Sequence, residues 1–132
     1  MWKTGCGLSY PGPGITNCVT GLATAHMDSI PMIIISGQVS RQYVGSDAFQ
    51  EADATGITRP VTKHNFLVDS RESIADVFKK ALTIATTGRP GPVLIDIPKD
   101  LTDPKIKIDF TYPKKVKIRS YKPVPKESED KI

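Results

Sequence analysis

Short apolar runs alternate with stretches of helical period between Gly5 and Pro98. Gly5 to Ser9 reads as a short strand, closed by the turn Gly12-Pro13-Gly14. Ile15 to Met27 follows as a helix of small residues with apolar positions at Ile15, Val19, Leu22 and Ala23. Pro31 to Ser36 carries Met32-Ile33-Ile34-Ile35 and stops at Gly37, the texture of a parallel strand buried on both faces. Phe66-Leu67-Val68 predicts a weaker strand. Asp69 with Glu72 three residues later predicts a capping box, with Asp in place of Ser or Thr. Ile74, Val77, Phe78, Ala81, Leu82 and Ala85 then make one apolar helical stripe, which Gly88 and Pro90 terminate. Pro92 to Pro98 is a second buried strand. Strand, helix, strand, helix, strand predicts an α/β fold, a partial open parallel sheet flanked by helices.

After Asp100 the texture changes. Pro104, Pro113, Pro123 and Pro125 interrupt a Lys-rich stretch, and 127–131 is almost wholly charged. Residues 1–100 are therefore expected to fold as one unit, with 101–132 an extended linker. The same division locates the net charge of +4: the basic and acidic residues of 1–100 cancel, so the surplus lies in the tail. A nucleic-acid domain carries its basic face on the folded part, so none is expected to bind here. No apolar run approaches bilayer length, and the first residues have no signal-like apolar region, so the expectation is a cytoplasmic chain, or an organellar one after loss of a transit peptide. Cys6 and Cys18 are the only cysteines, without metal-ligand spacing, and are expected to be buried reduced thiols.

Five polar segments follow or precede the strands. Gly12-Pro13-Gly14 stands where a strand turns into a helix, and suits a tight turn as well as a ligand loop. Gly37-Gln38-Val39-Ser40-Arg41 follows a central strand, where α/β sheets gather ligands. Asp47-Ala48-Phe49-Gln50-Glu51 suits a solvated helical turn with Phe49 packed inward. Lys63 and His64 suit an anion or plain solvent, and Arg89 stands fixed among Gly and Pro, as a phosphate-binding guanidinium would.

In order and spacing, these segments resemble the large subunit of acetolactate synthase, a thiamine-diphosphate enzyme. The likeness rests on residues 12–31, Gly37-Gln38-Val39, Asp47 to Glu51, Ile57 to Asn65 and Gly88 to Asp100, and extends to Tyr112-Pro113 and Arg119-Ser120-Tyr121. The resemblance implies the second half of a pyrimidine-binding thiamine-diphosphate domain in 1–100, and in 101–132 a linker toward a central FAD-type domain. It implies condensation of pyruvate with pyruvate or 2-oxobutanoate, with loss of CO2, in branched-chain amino-acid biosynthesis. The alternatives are a related carboligase or decarboxylase, such as glyoxylate carboligase, and a non-catalytic interaction fragment.

The resemblance also implies roles. Gln50 and Phe49 would meet thiamine diphosphate in a site shared between subunits, and Gly12 and Gly14 would pass close to it. Arg89 would contact FAD. Ser29, Lys63 and Lys99 would line the substrate channel. The family's catalytic glutamate would lie upstream of these residues and its Gly-Asp-Gly motif for Mg2+ downstream, so no catalytic or metal-binding residue is expected within them, and the chain alone is expected to be inactive. Full-length subunits would form a homo-oligomer with a regulatory small subunit.

Overall fold

The computed structural model describes residues 3–108 and 110–123, and both β-branched runs form strands. Strands β1 (Gly5–Ser9), β2 (Met32–Gln38), β3 (His64–Leu67) and β4 (Pro92–Pro98) make one parallel sheet in the order β1-β2-β4-β3. Helices α1 (Pro13–Met27), α2 (Ala54–Thr58) and α3 (Ile74–Thr86) lie in the crossovers. From β1 to β2 to β3 the chain steps across the sheet in one direction, and from β3 to β4 it steps back. Right-handed crossovers therefore place α1 and α2 on one face and α3 on the other.

The two cores follow this division. Ile15, Leu22 and Ala54 pack with Ile34 and Leu94, whereas Ala81, Ile84 and Ala85 pack with Ile33, Val93 and Ile95. Neighbours in sequence thus enter opposite cores, because successive strand side chains point to opposite faces. This explains why β2 and β4 read as unbroken apolar runs.

Several local expectations need correction. No capping box forms at Asp69: the helix begins at Ile74 behind Ser73, and the Ser73 hydroxyl donates to the Asp69 carboxylate (3.0 Å). A turn between Asp69 and Ser73 leaves that carboxylate no helix N–H to accept from. β2 runs to Gln38, so the loop starts at Val39. Both cysteines are free thiols, but neither is buried: Cys6 is exposed because β1 is an edge strand, and Cys18 on α1 is half-buried.

The described part of the tail is a strap against the α3 face. The Lys79 ammonium lies 5.3 Å from the Tyr112 ring centre, and Ile118 and Tyr121 pack against the α3-side core. The charged end, 127–131, falls outside the described residues.

Among the described residues β1 pairs only with β2, and Leu8 stands 81% exposed on it. An unpaired apolar edge templates intermolecular pairing, and lysine there blocks it. A polypeptide of these 132 residues is expected to self-associate, and Leu8→Lys to reduce that association while keeping the helical signal. Sedimentation and circular dichroism of the two forms at matched concentration check this.

Candidate functional site

The parallel sheet brings the ends of β1, β2 and β4 together at one pole. There the residues just past each strand, Pro11, Ser40 and Lys99, line a cleft of about 380 Å³ with Gln38, Phe49 and Gln50. This is the position at which open α/β sheets bind ligands.

Phe49 and Gln50 are held in place by their loop rather than by a helix. The expectation of a helical turn with Phe49 inward fails, because Asp47 and Gln50 adopt positive φ (55° and 63°) and Phe49 is 89% exposed. Glu51 organises the loop instead. Its carboxylate accepts the backbone N–H groups of Gly45 and of Ala48 (3.0 Å), and those bonds, Gly45's foremost, hold its pKa below the usual carboxylate range. The left-handed conformation costs a residue with a Cβ about 1–2 kcal/mol, so Gln50 is strained within a well-tied loop.

Gly12 supports Gln50 from below. It is buried with φ 62°, and a Cβ there would lie 2.8 Å from the Gln50 carbonyl oxygen. A Cβ at Gly14 would lie 3.0 Å from both the Ser9 hydroxyl oxygen and the Tyr10 Cβ. The glycine turn thus has two demands that only glycine meets at position 12, space and conformation.

The remaining sequence-derived candidates lie at the opposite pole, beside the starts of the strands. Arg89 donates to the Ser29 hydroxyl (2.8 Å) and to the Met27 carbonyl (3.0 Å), fastening itself to the end of α1. Ser29 itself has φ 58°. Lys63 sends its ammonium to the carbonyl oxygens of Ile84 and Thr87 (2.8 Å for Thr87) and to the Tyr121 hydroxyl (3.3 Å). A cation there completes unpaired carbonyls at the end of α3 and complements its dipole. His64 meets Phe66 edge-on, and partial burial lowers its pKa, which favours the neutral imidazole over an anion-binding cation. The cleft therefore unites Phe49, Gln50 and Lys99 above Gly12, whereas Ser29, Lys63 and Arg89 stand apart from it.

A buried carboxylate outside the sequence-derived candidates stands beside the cleft. Asp96 on β4 is 1% exposed; it accepts from the Gln38 amide (3.0 Å), and its other oxygen has no partner. Burial raises its pKa to about 6, against the lowering effect of the Gln38 hydrogen bond and of the nearby Ser36 hydroxyl, with Asp53 adding a repulsive charge. The signal was an acid inside Val-Leu-Ile-Asp-Ile-Pro, since an unpaired buried Asp is rare.

Residues 2–57 match the family described as "Thiamine pyrophosphate enzyme, N-terminal TPP binding domain". The acetolactate synthase large subunit of Haemophilus influenzae is 56% identical over 92% of this chain. That of Buchnera aphidicola subsp. Schizaphis graminum is 54% identical over 98%, and isozyme 3 of Escherichia coli 52% over 92%. The chain is a homologue of the acetolactate synthase large subunits. It spans only 21 to 23% of the length of these three relatives.

Within this family segment the fits to the implied groups differ. The cleft joins an aromatic face, an amide and an ammonium, a donor set suited to a flat heteroaromatic ring bearing polar and anionic groups. Among the described residues no group of three His, Cys, Asp or Glu could hold a metal ion. No described helix is long and apolar enough to cross a membrane.

Two outcomes follow. Gly12→Ala is expected to displace Gln50 and destabilise the fold by about 1–3 kcal/mol, measurable by chemical denaturation. Asp96 favours its protonated form in the folded chain, so it makes stability fall as pH rises from about 4 to about 6. By pH 7 that loss is on the order of 3 kcal/mol. Asp96→Asn should flatten this pH dependence and raise stability at pH 7, as denaturation at pH 4.5 and pH 7 would reveal.

Proposed function

We propose that this segment forms the pyrimidine-side wall of the thiamine-diphosphate site in an acetolactate synthase, which condenses pyruvate with a second 2-oxoacid and releases CO2. The observation that carries the reading is the cleft at the carboxyl ends of the strands, with Phe49, Gln50 and Lys99 on one rim, in a chain 52–56% identical to acetolactate synthase large subunits. Thiamine diphosphate, when bound, supplies the carbanion chemistry of decarboxylation and carboligation.

The chain's own residues bind and orient. Phe49 offers an exposed ring face for stacking on a heteroaromatic ring. Gln50 presents an amide that donates and accepts, fixed by its backbone rather than by side-chain packing. Lys99 adds a positive charge for the carboxylate of a 2-oxoacid substrate. At the other pole, Arg89 would meet a phosphate of FAD, its guanidinium aligned by Ser29 and Met27. Lys63 and Ser29 would reach a substrate channel only from that side. The Mg2+ ligands, the catalytic glutamate and the regulatory small subunit would come from outside these residues. Gln50 and Arg89, at opposite poles, then serve different groups.

Titration of full-length subunits carrying these residues tests the assignment. Gln50→Ala should weaken thiamine-diphosphate activation by about 1–2 kcal/mol, the scale of one hydrogen bond. Gln50→Gly removes the same amide while relieving the left-handed strain, so it should lose as much activation with no loss of stability. Arg89→Ala should leave that activation alone and weaken FAD retention, because a charge-assisted contact is lost. Equal loss of stability in the Gln50→Ala and Arg89→Ala variants with unchanged cofactor affinities would assign both residues to the fold instead.

A further inference from the structure

The face of the sheet that packs on α1 and α2 is apolar in its middle, at Ile34 and Leu94, and polar at its carboxyl end. Ser36, Gln38 and Asp96 follow Ile34 and Leu94 on that same face at a spacing of two. All three are buried. The Gln38 side-chain amide is shared between two acceptors: it donates to Asp96 (3.0 Å) and to the backbone carbonyl of Ala52 (2.9 Å). Its own carbonyl accepts the Val39 N–H (2.9 Å). One side chain thereby joins β4, the end of β2 and the loop that carries Phe49 and Gln50.

The geometry extends further. Gln38 borders the cleft with Phe49, Gln50 and Lys99, and also borders a second cavity of about 260 Å³ shared with Asp96, Glu51 and Asp53. It is the partition between them. Leucine at position 96 would fill similar space without placing a carboxylate in the interior, so nothing in core packing alone calls for the acid. An acceptor at 96 has a definite geometric use, which is to hold the Gln38 amide in the orientation that captures Ala52. Without an acceptor at 96 only the Ala52 carbonyl and the Val39 N–H are left to orient the amide, and its bond to Ala52 is the loop's only side-chain hydrogen bond to the sheet interior among the described residues.

We propose that Asp96, acting through Gln38, is a positioning residue that sets the 48–53 loop and so the placement of Gln50 at the cleft. The effect on cofactor use rests on the reading of the cleft given above. The effect on the loop does not.

Hydrogen exchange of the full-length subunit separates the two. In Asp96→Leu the loop amides of Ala48 and Glu51 should exchange roughly 10- to 100-fold faster, the scale of a lost charge-assisted hydrogen bond. The amides of Ile34 and Leu94, deep in the central strands, should keep their protection. Asp96→Asn retains an acceptor and should restore slow exchange in the loop. Gln38→Met should reproduce the Asp96→Leu pattern, and the double variant should add little to either single one, because both act through the same bond. The half-saturating concentration of thiamine diphosphate should rise about tenfold in Asp96→Leu, with kcat changed far less, since ground-state placement is what is lost.

Unchanged loop exchange in Asp96→Leu, or equal acceleration of loop and strand amides, overturns the proposal. So does failure of Asp96→Asn to restore the loop. Should Asp96→Leu not fold, Gln38→Met and Asp96→Asn carry the comparison by themselves. Faster loop exchange with unchanged thiamine-diphosphate activation upholds the positioning role and overturns the assignment of Gln50 to that cofactor.

Discussion

Parallel pairing of Met32–Gln38 with Pro92–Pro98, residue for residue over seven positions, is the constraint on which the other features depend. It aligns the ends of the two central strands, so that Val39 and Lys99 emerge side by side. It also separates the poles by roughly 20 Å at the usual rise per residue. No side chain crosses that distance. A segment with candidate residues at both poles presents two chemical surfaces, and the core between them can transmit strain but not contact.

At the carboxyl pole several local rules are broken together. Gln50 adopts a glycine-like backbone, Gly12 is buried beneath it, and Asp96 carries a carboxyl group where its neighbours are apolar. Departures of this kind gather at functional sites, where a sequence gives up stability for placement. The opposite pole is more conventional. Arg89 and Lys63 complete the unpaired carbonyls of α1 and α3, as cations at helix ends ordinarily do.

Much of this architecture is legible in the residues. The runs at Met32–Ile35 and Pro92–Pro98 announce buried parallel strands, and the stripe from Ile74 to Ala85 announces α3, since each pattern is long and periodic. The start of α3 is not legible, because Asp69 and Glu72 satisfy the spacing of a cap while the side chain of Ser73 takes up the Asp69 carboxylate. Nor is the loop at Phe49, where two residues with positive φ replace a helical turn that composition alone would favour. The clustering of Phe49, Gln50 and Lys99 depends on strand order, which no local pattern records. Lys63 shows the limit most plainly: its identity suggests an anion site, and its partners are three oxygens at the end of a helix and its strap.

The contact between Gly12 and the Gln50 backbone has a consequence for how such sequences can drift. A side chain at position 12 would have to be preceded by a retreat of the loop, and that retreat would vacate the rim of the cleft before anything compensated for it. The order of substitutions is thus restricted in one direction. The backbone contact by itself allows position 50 any residue that tolerates the left-handed conformation while position 12 stays glycine, but position 12 has no neutral first step of its own.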